Sequence, residues 1–170
     1  MFLQNLRARL GARLSGDSEA GFTLIELLVV MLILGILAAI ALPAFFNQRD
    51  KAGDSKAKEN AHSAQVAVET FATEHNNSYT GIEVADLNEI EPTISATPGD
   101  ATTEPPTEGI EIESTASNQY KIGSVSSTGT IFSIENDGGE MSFTCDAPGE
   151  GGCPAVENPA TETEGDWSKG

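Results

Sequence analysis

The sequence predicts an α+β protein in which a long N-terminal helix, apolar in its first half, packs its second half on a four-stranded antiparallel meander. Three features lead to this prediction. Residues 22 to 42 are almost continuously apolar, residues 57 to 75 carry small or apolar side chains at helical spacing, and from Ile110 apolar residues alternate with polar ones. A helix that covers one face of an antiparallel sheet is a layered arrangement of α+β domains.

The apolar run of residues 22 to 42 has the length of a membrane-spanning helix. Its 21 positions extend about 31 Å at roughly 1.5 Å per residue, close to the roughly 30 Å hydrocarbon core of a bilayer. Glu26 is the only charged residue within it. A charged side chain costs on the order of 2.5–3.5 kcal/mol at the centre of a membrane and less near an end, so Glu26 indicates a functional role.

Two simpler interpretations of this run remain open. In an ordinary secretory signal peptide, the preceding arginines would form the basic region and Ala39-Ile40-Ala41 the cleavage site. However, the run exceeds the usual apolar core of about 7–15 residues, and cleavage after Ala41 would remove Glu26 with the leader. A plain single-span anchor is a stronger alternative, because neither length nor hydropathy excludes it.

The residues around the start of the run are similar to the class III leader of type IV pilin precursors. The similarity rests on Gly21-Phe22-Thr23-Leu24-Ile25-Glu26, and on Gly35 and Pro43, which follow Phe22 by 13 and 21 residues. It covers about the first 60 residues with a specific motif and the remainder only by architecture. Major pilins, minor pilins and secretion-system pseudopilins share the motif, so it indicates the superfamily rather than the member.

The resemblance implies how the N-terminus is processed. Residues 1 to 21 would be a leader that a dedicated inner-membrane prepilin peptidase removes by cutting between Gly21 and Phe22. The same enzyme would methylate the new amine of Phe22. Residues 22 to 43 would span the inner membrane once, with the leader in the cytoplasm, and would later form the core of a helical filament at the cell surface.

The resemblance also implies partners and assembly residues. The expected partners are further copies of this chain, the prepilin peptidase and methyltransferase, the inner-membrane pilus assembly machinery and the membrane itself. Glu26, Gly35 and Pro43 are the expected assembly residues. Glu26 would pair with the methylated amine of Phe22 on a neighbouring subunit, and this requirement would fix the axial register of the filament.

Residues 44 to 76 are predicted to continue the helix as an amphipathic segment that enters the globular domain. Pro43 is expected to interrupt the helix, because its ring clashes with the preceding turn and removes one backbone donor. Further on, residues recur with spacings of 4, 3, 4, 3 and 4 and form one helix face toward a core. This stripe comprises Ala57, Ala61, Ala64, Val68, Phe71 and His75. His75, at its end, is interpreted as a partly exposed structural residue rather than a ligand.

Charge is distributed unevenly along the chain. The formal net charge is −17, and residues 59 to 170 contain 21 Asp and Glu but only two Lys, a net charge of −19. Direct nucleic-acid binding by this surface is not expected, because phosphate affinity requires a basic patch. Four basic residues after Pro43 form a group that we call the basic collar: Arg49, Lys51, Lys56 and Lys58. We expect the collar to meet acidic surface on neighbouring subunits.

Residues 77 to 154 are predicted to form a loop region followed by the sheet. Polar cap and turn residues at 76 to 81 end the helix, a short helix follows at Ala85 to Ile90, and Thr93 to Glu108 is a Thr- and Pro-rich surface loop. Four alternating runs then predict the strands. Their apolar positions are Ile110 and Ile112, Tyr120 and Ile122, Phe132 and Ile134, and Met141, Phe143 and Cys145.

The two cysteines of the chain lie near its C-terminus. In an exported protein, the even count predicts a disulfide between Cys145 and Cys153. A metal site is not favoured, since four ligands are wanted and no His is near in sequence. Residues 155 to 170 are predicted to be an acidic, mobile tail with Trp167 as a candidate tether.

No catalytic constellation is present in the sequence. It has no evident nucleophile–base pair, Gly-rich phosphate loop or metal-ligand cluster, so we predict that the protein is not an enzyme and assign no catalytic, cofactor or metal residue. The predicted function is that of a structural subunit, which is cleaved, N-methylated and polymerised into a type IV pilus for adhesion, motility or DNA uptake. The alternatives are a type II secretion pseudopilin, a minor tip pilin that acts as a binding module, and a membrane-anchored domain that never polymerises.

Overall fold

A computed structural model of the chain describes residues 21–169, and the chain divides into two compact units at Pro43 and Ala44. Helix α1 runs from Leu24 to Glu74, and Pro43 lies inside it without a break in the helical assignment. The predicted interruption at Pro43 is therefore wrong for this structure. A proline removes only one backbone donor, and the Ala and Leu residues around it favour a helix.

The second half of α1 packs on the sheet through small side chains. Five of the six predicted stripe positions are buried, from Ala57 to Phe71, and Ala67 and Ala72 are buried as well. His75 is exposed, but its ring stacks on Phe71 with centroids 3.7 Å apart. The alanines allow the helix backbone to approach the sheet closely, which is the packing that the stripe predicts.

Asparagines end helix α1. The N–H of Asn77 donates to the carbonyl oxygen of Ala72 at 2.8 Å, and Asn76 and Asn77 both have a φ of 57°. This left-handed termination is common where Gly or Asn follows a helix. Helix α2 then runs from Val84 to Ile90, one residue longer than predicted, and the Asp86 carboxylate caps its start by accepting the backbone N–H of Glu83 at 2.8 Å.

The sheet is an antiparallel meander with the strand order β1-β2-β3-β4-β5. Its strands are β1 Gly109–Thr115, β2 Gln119–Val125, β3 Ile131–Asp137, β4 Glu140–Cys145 and β5 Gly165–Asp166. The four predicted strands are confirmed, and the fifth corrects the predicted count of four. A two-residue strand is too short to leave a periodic signal in the sequence.

The core lies between α1 and one face of the sheet. Tyr120, Ile122, Phe132 and Ile134 are at most 1% exposed, and all belong to the same core cluster as the α1 stripe.

Glu69 of α1 adds a polar connection between the helix and the sheet. Its carboxylate accepts hydrogen bonds from Tyr120 Oη at 3.0 Å, Asn136 Nδ2 at 3.3 Å and Tyr79 Oη at 2.9 Å. Burial, and then the nearby Glu69 carboxylate, raise the pKa of Tyr120 well above its usual value. Both tyrosines therefore act as hydrogen-bond donors that hold the carboxylate.

The end of the C-terminal tail is packed against the sheet. Gly165 and Asp166 pair with Cys145 and Thr144 of β4, and Trp167 is 6% exposed. The Trp167 Nε1–H points to two carbonyl oxygens, that of Thr144 at 2.8 Å and that of Ser133 at 3.3 Å. The expected mobile tail is thus corrected at this end, because a large aromatic side chain with a satisfied N–H fills the space beside Phe132 and Phe143.

Candidate functional site

The residues of the predicted cleavage site lie just before helix α1. Phe22 is 82% exposed, and the helix begins at Leu24 rather than at Phe22 as expected. Thr23 sets this start, because its Oγ1 accepts the backbone N–H of Glu26 at 3.2 Å. A threonine at the N-cap followed by a glutamate three positions later is a helix-start pattern in the sequence. Thr23 was not among the predicted functional residues, although this pattern is visible in the sequence.

Glu26 occupies the first turn of α1. The N-terminal end of a helix carries a partial positive charge, so an anionic side chain is favoured there. The backbone N–H of Glu26 is satisfied by Thr23. The arrangement therefore holds a carboxylate four residues from the position at which cleavage after Gly21 would create a free amine.

Two glycines of the motif have open space around them in the part of the chain that the structure describes. Apart from chain neighbours and the nearby helix backbone, a Cβ added at Gly21 or at Gly35 would meet no heavy atom of residues 21 to 169 within 4 Å. A glycine inside a helix costs about 1 kcal/mol relative to alanine. If Gly35 serves packing, the packing partner is not among residues 21 to 169 of the same chain.

The first half of α1 presents an uncovered apolar surface. All of residues 21 to 43 are exposed, with Leu24 at 77% and Ile40 at 73%. In length and composition, this helix suffices to cross a membrane. An apolar surface of this extent indicates contact with a membrane or another protein.

The basic collar is partly engaged within the chain itself. Lys56 Nζ lies 2.8 Å from Glu108 Oε2, and both side chains are largely exposed. Lys58 donates to the carbonyl oxygen of Gly152 at 2.7 Å and lies over the rings of Phe132 and Trp167. Arg49 and Lys51 are exposed and form no ion pair within the described residues. They are the collar residues that remain available to a neighbouring molecule.

Lys121 is paired with acidic residues of its own chain. Its Nζ lies 2.8 Å from Glu113 and 3.7 Å from Glu164. Burial opposes the charged form of Lys121, but the bond to Glu113 and the charges of Glu113, Glu164 and Glu135 together outweigh it and raise the pKa of the ammonium. Burial, and then the charge of Glu113, raise the pKa of Glu111 on the same strand. The sheet therefore carries repulsion between carboxylates that one lysine offsets only in part.

The structure joins Cys145 and Cys153 in a disulfide with a Cα–Cα distance of 5.9 Å. Both cysteines belong to the core cluster. The resulting ring contacts Asp54 of α1, a fully buried residue that was not among the predicted site residues. The signal was available, since Asp54 precedes Ala57 by three residues and so extends the buried stripe.

Potential metal ligands are not clustered in the structure. Between residues 21 and 169, no three His, Cys, Asp or Glu side chains are grouped as a metal site would require. His62, for example, contacts the rings of Trp167 and Phe143, with centroids 5.3 and 5.8 Å away. It serves as part of the aromatic packing around the C-terminal tail.

Comparison with known proteins identifies the N-terminal segment. Residues 17–42 match the model of the prokaryotic N-terminal methylation motif. The type II secretion system core protein G of Pectobacterium carotovorum is 36% identical over 69 residues. The type IV major pilin protein PilA of Myxococcus xanthus is 46% identical over 54 residues, and competence protein ComGC of Halalkalibacterium halodurans is 31% identical over 65. No solved structure matches the chain.

Each of these three similarities covers less than half of the chain. They span 41%, 32% and 38% of its length, and 44%, 24% and 64% of the three relatives in the same order. The relatives are pilins and secretion-system or competence proteins rather than enzymes. The segment that carries Gly21, Phe22 and Glu26 is therefore similar to the methylated N-terminal segment that this motif describes.

Proposed function

We propose that this chain, whose N-terminal segment is that of the type IV pilin and pseudopilin superfamily, is the precursor of a filament subunit. The observation that carries the proposal is the N-terminus of α1. A methylation motif leads into a capped helix with one carboxylate in its first turn and an uncovered apolar surface behind it. A filament core needs these features, because helices must pack together and find a common register.

Processing would convert the precursor into an assembly-competent subunit. A prepilin peptidase in the inner membrane cuts between Gly21 and Phe22, and the new amine of Phe22 is methylated. The exposure of Phe22 at 82% is consistent with access for such an enzyme. Until assembly, residues 22 to 43 anchor the subunit in the inner membrane by a single span, with the leader in the cytoplasm.

Assembly would use the carboxylate of Glu26. In a bundle of apolar helices, a lone carboxylate and a lone amine are both costly, and pairing them across two subunits relieves both costs. Because the pair forms at only one relative height of the two helices, it selects the axial register. Gly35 would allow a neighbouring helix to approach closely, which fits the empty space around it in the single chain.

Pro43 would provide a site at which the helix can loosen in the filament. It removes one backbone hydrogen bond within α1, so this turn is less costly to open than its neighbours. In this proposal the protein is not an enzyme and needs no cofactor. Its partners are other copies of itself, the peptidase and methyltransferase, and the assembly machinery of the inner membrane.

The free part of the basic collar would offset repulsion between acidic domains. We expect the charge reversals Arg49→Glu and Lys51→Glu together to reduce filament yield more than Arg49→Gln with Lys51→Gln. The difference should shrink as salt rises, because the Debye length is near 10 Å at 0.1 M. Lys56 and Lys58 are unsuitable for this test, since both have partners inside the chain. Equal yields of the reversed and neutral variants at low ionic strength would show that the collar is only a solvated surface.

A pseudopilin of a type II secretion system is the second candidate. The similarity to a type II secretion core protein over 69 residues favours it. Electron microscopy of filaments sheared from the cell surface, with mass spectrometry of their main protein band, separates the two functions. A main band consisting of this chain supports a major pilin. Surface filaments that lack it, together with a secretion defect on deletion, would support the pseudopilin.

A further inference from the structure

One buried carboxylate connects three separate elements of the globular unit. Asp54 of α1 is fully buried. Its Oδ1 accepts the hydroxyl of Thr128, in the turn between β2 and β3, at 2.8 Å. Its Oδ2 accepts the backbone N–H of Gly152, in the disulfide ring, at 2.7 Å. No cation pairs with Asp54 among residues 21 to 169, so these two bonds satisfy its charge.

The disulfide ring is shaped to fit this carboxylate. Gly151 has a φ of +51°, and a Cβ there would overlap Asp54 Oδ2. A Cβ at Gly152 would lie 3.0 Å from Asp54 Cβ. At Gly151 only glycine permits both the left-handed backbone and so close an approach, and at Gly152 a larger residue would force Asp54 to shift. The two glycines therefore serve the contact with Asp54 as well as the turn of the ring.

A second residue of α1 forms a hydrogen bond to the same residue of the ring. Lys58 Nζ donates to the carbonyl oxygen of Gly152 at 2.7 Å. Asp54 and Lys58 are four residues apart and thus lie on the same face of the helix, one turn apart. Helix α1 accordingly binds both the N–H and the C=O of Gly152, next to Cys153. We call Asp54, Lys58 and Gly152 the ring latch.

The ring latch depends on closure of the ring. With the cysteines reduced, no covalent bond holds Cys153 against Cys145, and Gly152 can leave Asp54. A buried carboxylate that loses a donor must recover it from water, which requires the surrounding contacts to open. Loss of the Gly152–Asp54 bond then also weakens the contact with Thr128, whose hydroxyl donates to the other oxygen of Asp54.

We propose that Asp54 is a positioning residue that makes the order of the β2–β3 turn depend on oxidation of Cys145 and Cys153. The ring, the turn and α1 also line one open cleft of about 380 Å³, which includes Lys51 of the basic collar. Ring closure would therefore complete a surface beside the collar. The proposal rests on the proposed function in one respect, namely that oxidation follows export of the domain.

The oxidation itself is a thiol–disulfide exchange. The two thiols give up two electrons and two protons as the Sγ–Sγ bond forms. An oxidant of the disulfide class accepts both and leaves as two thiols. Nothing else in the chain changes covalently.

Hydrogen exchange in the full chain, held in detergent micelles, tests the proposal. The readout is the exchange rate of the backbone amides at residues 126 to 130, compared in four proteins. These are the wild type, Asp54→Ala, the pair Cys145→Ser with Cys153→Ser, and the triple variant that combines all three substitutions. We expect about tenfold or faster exchange after either change alone, because each removes a hydrogen bond to a charged group. The triple variant should exchange no faster than the faster of the two.

Two controls keep the result interpretable. Asp50→Ala removes an exposed carboxylate one turn earlier on the same helix and should leave the turn unchanged. If Asp54→Ala also loses protection throughout β2, the alanine variant is replaced by Asp54→Asn in the comparison. The side-chain amide oxygen of asparagine can still accept one hydrogen bond. Ring removal should then accelerate the turn less in Asp54→Asn than in the wild type.

If the triple variant accelerated exchange by the product of the two separate accelerations, the proposal would be overturned. Such a product means that Asp54 and the disulfide contribute independently, since independent contacts add in free energy. An unchanged turn after removal of the cysteines would overturn it as well. Neither result involves filaments. A failure here therefore leaves the proposed function standing, and a chain that forms no filament can still show the ring latch.

Discussion

Replacing Glu26 with alanine is expected to abolish filament assembly while leaving cleavage and membrane insertion intact. In the proposed filament, the substitution would leave the Phe22 amine of a neighbouring subunit unpaired among apolar helices. Removing one partner of a buried ion pair costs about 3–5 kcal/mol, which corresponds to more than about a hundredfold in the association constant. The measurement is the yield of sheared surface filaments relative to the amount of processed subunit in the membrane.

Matched variants separate the charge of Glu26 from its role at the helix start. Glu26→Gln keeps the length and loses the charge, whereas Glu26→Asp keeps the charge and shortens the reach. Because the Thr23 hydroxyl accepts the backbone N–H of residue 26, the cap survives in all three variants. We expect partial assembly only with aspartate. Normal filament yield from the alanine variant would show that this carboxylate is incidental.

Replacing Trp167 with alanine is expected to destabilise the sheet by about 3–5 kcal/mol, the usual cost of deleting a buried tryptophan. The ring lies 5.1 Å from that of Phe143 and 6.2 Å from that of Phe132, centroid to centroid. Its removal opens a cavity over β3 and β4 and frees β5. Hydrogen exchange of the full chain in detergent should show loss of protection in β3 and β4 by more than about a hundredfold.

Trp167→Phe is the matched control for this change. It retains most of the buried ring but leaves the carbonyl oxygens of Thr144 and Ser133 without the indole donor. We expect a loss of about tenfold in protection, in keeping with one lost hydrogen bond. If Trp167→Ala alters exchange only at residues 165 to 169, the tryptophan tethers the tail without supporting the sheet.

The sequence was sufficient to predict the helix and the strands in which buried residues recur at a regular spacing. The spacing from Ala57 to Phe71 predicted the packed face of α1, and the alternation from Ile110 to Cys145 predicted four strands, because burial imposes a period on each element. Strand β5 could not be found in this way. Gly165 and Asp166 carry no periodic pattern, and their pairing with β4 accompanies the packing of Trp167, a tertiary contact.

Single polar residues were harder to interpret than periodic ones. Asp54 lies in phase with the buried stripe, yet a charged residue among lysines suggests a solvated surface. Its burial depends on donors 74 and 98 residues away in the sequence, at Thr128 and Gly152. Such partners are brought together only by the fold. For Pro43 the local rule was followed and gave the wrong result. The rule predicted an interruption of the helix, whereas the helix continues through the proline.

Mass spectrometry of the N-terminus of the surface-exposed protein decides whether the chain is processed as a pilin precursor. We expect a mature chain that begins at Phe22 and carries a methyl group on its amine, so that Glu26 becomes its fifth residue. A chain that begins after Ala41 would contradict it, because Glu26 and the entire apolar segment before that point would then be absent from the mature protein.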